Sequence, residues 1–169
     1  MSIAANLLPE YDLEMASTRR VLALVPEAHA DWKPHPKSFS LSGLALHLAN
    51  FPTWGMLTVT CPELDLASPE MAPQQRDAFS TTAALLARFD DGVAAFRRIL
   101  AESPDATLQA MWTLKSGSMT FFTLPRTVVL RSSVINHMIH HRGQMTVYLR
   151  MLDVPLPDLY GPTADTKRA

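Results

Sequence analysis

The sequence predicts an all-α protein, a helix bundle formed by a single domain over residues 1–169. Three observations lead there: four stretches repeat apolar side chains near the 3.6-residue helical period, none sustains a long two-residue alternation, and 47% of the residues are hydrophobic. A chain of 169 residues is of single-domain size. No internal repeat of 20 to 50 residues and no low-complexity tract divides it.

The first stripe is Leu8, Tyr11, Met15, Thr18, Leu22 and Val25, ended by Pro26, with Pro9 expected in the first helical turn. Pro34 and Pro36 then make the stretch from Pro26 to Ser40 a loop. Leu41, Leu44, Leu48 and Phe51 form the second stripe, with Ser40 or Ser42 as N-cap and Pro52 expected to end or kink it. Between Thr60 and Ala78, Pro62, Pro69 and Pro73 among acidic residues read as a surface connection. The third stripe, Leu86, Phe89, Val93, Phe96 and Leu100, follows a Ser80 cap and closes before Pro104. Ser116, Gly117 and Ser118 between apolar flanks suggest a hairpin-like excursion over 112–122, and Pro125 suits the first turn of a helix. The last stripe is Leu130, Val134, His137, His141, Met145, Tyr148 and Leu152.

Charge and composition exclude several classes. Fifteen basic residues against 16 acidic ones give a net charge of -1, so no broad attraction to phosphate backbones, and hence no nucleic acid, is expected. From Ser38 to Pro62 the chain carries no Lys, Arg, Asp or Glu, long enough to span a bilayer. Ser40, Ser42, His47, Asn50, Pro52, Thr53 and Thr58 interrupt it, so it reads as a buried helix plus a loop, with no membrane partner. The single Cys61 has no internal disulfide partner and no cationic sequence neighbour, and reads as an incidental thiol. With no secretory leader at Met1 to Asn6, the expected compartment is the cytoplasm.

Of six histidines, three stand where imidazoles are unexpected. His137 and His141 are one helical turn apart on the apolar stripe, with Cβ atoms about 6 Å apart, within reach of one metal ion. On that face an imidazole needs an internal partner, and a metal is one. His47, between Leu44 and Phe51, points to the core side of another helix. Three converging imidazoles would leave coordination positions open for water or substrate, the arrangement of a catalytic site. The competing reading is three hydrogen-bonded core or surface histidines. His140 falls off the shared face, and His29 and His35 lie in the loop.

The run NHMIHHRGQMTVYLRMLDVPLP at Asn136 to Pro157 resembles the last helix of the DinB/YfiT-like family. The stretch from Pro26 to Trp54 and the YGPTAD tail at Tyr160 to Asp165 agree in order. One departure is Thr166, where family tails often carry an acidic residue after the Ala-Asp pair; it bears only on a tail contact. The resemblance implies an up-down four-helix bundle, usually a homodimer, with a divalent metal, often zinc or nickel, on His47, His137 and His141. His140 corresponds to the adjacent histidine outside that triad. Related families sharing the bundle are thiol-dependent transferases and isomerases, which suggests a low-molecular-weight thiol as cosubstrate beside a small-molecule substrate.

Ligation needs neutral imidazole, whose ordinary pKa is about 6.5, so a metal would be lost in acid. The reading is a metal-dependent thiol S-transferase, with a metal-dependent hydrolase and a non-catalytic metal-binding stress protein as alternatives; no catalytic residue is assigned. Gln144 and Asn50, each about one turn after a ligand histidine, could orient water or substrate, or be ordinary helix-face polarity. Arg142 and Arg150 could hold an anion or make ion pairs. Trp54 and Trp112 could line a pocket mouth or belong to the core. Val128, Leu130 and Val134 fit a dimer interface or the monomer core equally.

Overall fold

A computed structural model describes residues 2–69 and 78–166. Helix α1 (Ile3–Leu22) starts where the Ser2 hydroxyl accepts a hydrogen bond from the Ala5 N–H, well before Pro9. Pro9 is therefore inside the helix, not in its first turn. Tyr11, Met15, Thr18, Leu22 and Val25 are buried as expected, and Leu7 lies deeper than Leu8.

The loop after α1 contains only a 3-10 turn (Glu27–His29). Ser40 caps α2 (Leu41–Thr60) by accepting from the Gly43 N–H at 3.0 Å. Pro52 does not end α2. It is buried against α3 (Thr82–Glu102), where a Cβ on Gly92 would approach its own Cβ to 3.2 Å. Three residues on, a Cβ on Gly55 would meet the Phe96 ring at 2.4 Å, so the glycine is what lets the two helices close. The cap of α3 is Thr81, which accepts from the Ala84 N–H, rather than Ser80.

The all-α expectation is corrected by a three-stranded sheet. Strands β2 (Met111–Ser116) and β3 (Met119–Pro125) form the expected hairpin, turning at Gly117 with φ +57°. Strand β1 (Glu63–Asp65), inside the stretch read as surface connection, pairs with β2 in parallel. Three residues carry no readable alternation. The rest of that connection, residues 70–77, lies outside the described residues. A short helix α4 (Asp105–Gln109) precedes the hairpin, and Asp105 accepts from the Ile3 N–H.

Pro125 closes β3 and caps α5 (Arg126–Val129), one residue earlier than a first-turn position. The Arg126 guanidinium donates to the carbonyls of Thr58 and Cys61, satisfying acceptors exposed by the end of α2. From Val129 onward the backbone stays right-handed through a π-helical segment (Leu130–Asn136) into α6 (His137–Met151). Its wider turns spread the buried set over two adjacent rows, so Ile135, Met138, Arg142 and Leu149 join the expected stripe. Leu130 and Val134 are core, whereas Val128 is exposed.

Helix α3 packs on α1 and α2, and α6 packs on the same two, around one apolar core. A second cluster of Leu64, Trp112 and Val129 seats the sheet on the ends of α2 and α5. Among the described residues no helix is long and apolar enough to cross a membrane.

Candidate metal centre

Helix α2 carries His47 and α6 carries His137 and His141, and their packing brings the three rings together. Ring centroids are 4.5 Å apart for His47 and His141, 5.5 Å for His47 and His137, and 4.6 Å for His137 and His141. One ligand nitrogen from each ring lies within 4.8 Å of the others. His141 is buried and the other two are partly so. Phe39 stacks on His47 at 5.7 Å, while Phe51 meets His47 at 4.9 Å and His137 at 5.0 Å, so the cluster is walled by aromatic carbon.

The hydrogen bonds fix which nitrogens face inward. The Nδ1 of His141 lies 2.7 Å from Gln144 Oε1, an oxygen that can only accept, so this nitrogen carries the proton. Gln144 Nε2 in turn lies 3.1 Å from His140 Nε2, so the one amide bridges the two imidazoles. His137 donates to the Ser133 carbonyl one turn earlier. Its Nε2 faces His141 Nε2 at 2.8 Å. A separation of 2.8 Å is that of an N–H···N hydrogen bond in one tautomer and, with both protons on the outer nitrogens, of two lone pairs converging on one cation. The donor set therefore fits a divalent metal: three neutral imidazoles, two of them oriented through their other nitrogen.

Electrostatics keep the rings neutral. Burial, reinforced by His141 and His137, pushes His47 down to about 4. Burial also lowers His137 and His141, partly opposed by their hydrogen bonds to Ser133 and Gln144. Neutral rings are ready to ligate at neutral pH, with little proton competition.

The other sequence candidates separate. Gln144 orients His141 directly. Asn50 instead accepts from Arg88 Nε on α3 at 3.0 Å. Arg142 and Arg150 make ion pairs, with Glu14 at 2.6 Å and with Asp165. Trp54 stands 6.0 Å from His47, and Trp112 is core. His140 is exposed, as expected. Cys61 is the C-cap of α2, its carbonyl used by Arg126. Thr166, the tail departure, hydrogen-bonds Asp158. Sequence reasoning missed Phe39, which lies in an aperiodic loop, and the Ser133 carbonyl, which its position four residues before His137 could have signalled.

A model of the DinB family matches residues 1–167. Among solved structures, a DinB-like protein from Bacillus cereus aligns with TM-score 0.69 at 22% identity, covering 90% of this chain and 95% of its own. A DinB-like protein from Bacillus subtilis aligns with TM-score 0.66 at 17% identity, covering 93% and 99%. A chain described as a DinB family member from Exiguobacterium sibiricum gives 0.68 at 20%, covering 95% and 99%. These likenesses are of fold. Among curated proteins none matches.

Proposed function

This chain belongs to the DinB family, and from that premise we propose that His47, His137 and His141 hold one divalent metal ion, zinc or nickel, that serves a thiol S-transfer reaction on a small molecule. The observation that carries the reading is the convergence of one ring nitrogen from each of the three histidines to within 4.8 Å of one another, with Gln144 and the Ser133 carbonyl orienting two of the rings. When bound, the ion supplies a concentrated positive charge that favours the anionic form of a thiol or of water near neutral pH. The chain's own part is positional. Gln144 and Ser133 hold two rings in the tautomer that presents Nε2, and Phe39, Phe51 and Trp54 exclude water from one side of the cluster.

A metal-dependent hydrolase is the second reading, since the same charge activates water; a metal that only ties α2 to α6 is the third. The same proposal takes the chain as a homodimeric up-down four-helix bundle with the sheet appended. Exposed Leu13, Val147 and Met151 on α1 and α6 offer apolar surface for a second copy. The test is elemental analysis of tag-free protein beside H137A: one ion per chain is expected in the wild type and none in the variant, and equal content would refute the ligand set. Turnover of an electrophile only when a low-molecular-weight thiol is added supports transfer; turnover without thiol supports hydrolysis.

A further inference from the structure

Between α5 and α6 the chain winds through wide, π-helical turns over Leu130–Asn136. Such turns are rare and cluster at functional sites. Nothing local calls for them here: the segment LRSSVIN holds neither proline nor glycine, and each of its residues can sit in an α-helix. Both flanks are anchored. Arg126 fastens α5 to the carbonyls of Thr58 and Cys61 at the end of α2, and Arg142 fastens α6 to Glu14 of α1. A π turn closes one residue later than an α turn, so one extra residue is taken up between two fixed points.

The effect of that residue is seen where the segment ends, at the first ligand histidine of α6. In an uninterrupted α-helix the His137 main-chain N–H would donate to the Ser133 carbonyl, four residues back. Here it donates to the Val134 carbonyl. The Ser133 carbonyl is thereby relieved of its α-helical donor, and it accepts the His137 ring N–H instead. A carbonyl oxygen only accepts, so the ring nitrogen facing it carries the proton, and the other nitrogen, Nε2, is the one turned to His141 at 2.8 Å. His141 lies one turn further on, within regular helix, where main-chain carbonyls are engaged by main-chain donors. Its orienting partner is a side chain, Gln144.

We infer that the π-helical segment is a positioning device for the candidate metal centre: its extra residue frees the Ser133 carbonyl from the helical ladder, and that carbonyl holds the His137 ring with Nε2 toward the ion. That Nε2 meets an ion rests on the function proposed above; the freed carbonyl and its hold on the ring do not. The competing account, in which the extra residue only lets the adjacent Val134 and Ile135 both reach apolar surroundings, leaves the ring indifferent to the helical register.

The test is deletion of Ser132, an exposed residue in the middle of the segment, which returns the turn to α-helical register and gives the Ser133 carbonyl back to the His137 main-chain N–H. The control is S132A, which keeps the register and loses only the hydroxyl bond to the Val128 carbonyl. In chelator, long-range nitrogen–proton NMR of the full chain reads which nitrogen of the His137 ring carries the proton, its signals being identified from their absence in H137A. Wild type and S132A are expected to carry it on Nδ1, and the deletion variant to lose that preference. Zinc affinity, by competition with a chromophoric chelator, should fall about 10- to 100-fold in the deletion variant and hold in S132A. An unchanged tautomer or an unchanged affinity after deletion would overturn the inference, as would the same losses in S132A or a wild-type ring protonated on Nε2. If the deletion variant does not fold, scalar couplings across hydrogen bonds in the wild type decide. Coupling of the Ser133 carbonyl to the His137 ring sustains the inference, whereas coupling to the His137 main-chain N–H, or to neither, overturns it. Zinc bound equally by wild type and deletion variant refutes the device alone. A wild type that shows the Nδ1 proton and the ring coupling yet binds no zinc refutes the metal reading alone.

Discussion

His141 and Arg142 are neighbours on α6, yet they enter two polar clusters of opposite character. Arg142, 1% exposed, meets a complete set of partners. It pairs with the Glu14 carboxylate and donates to the Glu14 carbonyl, the Thr18 hydroxyl and the Tyr160 oxygen at 3.0, 3.2 and 2.5 Å. Tyr160 in turn donates to Glu14 at 2.8 Å, tying the C-terminal tail to α1. Every charge there is answered by the protein. The histidine cluster holds three neutral rings with no carboxylate among them, their ring nitrogens turned toward one another. A buried cluster closed on itself fixes α1, α6 and the tail; one left open on one side fits a guest of positive charge.

The largest effect should come from breaking the closed cluster. In R142M, Glu14 loses its buried partner, and urea denaturation should show a loss of about 3–5 kcal/mol, much of it recovered in the E14Q/R142M double variant. Equal losses in the single and double variants would mean that packing, not charge, is at stake. H137A breaks the open cluster instead. In chelator it should unfold within about 1 kcal/mol of wild type, because His137 is only partly buried and the hydrogen bonds it loses are worth about that much net. With zinc at a hundred times its Kd, the wild type alone should gain about 2.7 kcal/mol. A large loss in chelator would show that the histidines are a structural network after all.

Replacing Gln144 with Leu tests the orientation of His141. Metal affinity, measured by competition with a chromophoric chelator, should fall about 10- to 100-fold, with little change in unfolding because Gln144 is exposed. Acid gives the smallest shift. His47 titrates near 4 when folded and near its ordinary 6.5 when unfolded, so the unfolded chain takes up the proton first. The contribution of neutral His47 is whole above about pH 6.5 and is lost as pH falls toward 4, by something of order 1 kcal/mol once the solvent reaching the ring is allowed for. In H47A the apo protein should lose that segment of its pH profile.

Much of the helical framework was legible from local rules. The stripes of α1, α2 and α3 repeat at helical spacing, and Ser40 and the Gly117 turn follow from capping and positive-φ chemistry. Where the reading slipped, a distant contact decided. Pro52 stays within α2 because Gly92 lets α3 accommodate it, and β1 exists because Leu64 and its neighbours find a partner strand in β2. Asn50 looked equivalent to Gln144 by spacing, but α3 supplied Arg88 to engage it.

The sequence by itself determined that His137 and His141 share a helix face and that His47 lies on the core side of another, because helical rotation per residue is a local property of the backbone. Only the tertiary structure decided that one nitrogen from each of the three rings lies within 4.8 Å of the others, that Gln144 reaches His141, and that Trp112 is left with an unanswered donor. Those outcomes depend on how α2, α6 and the sheet pack, and packing is set by shape and volume summed over many residues rather than by the spacing of any few.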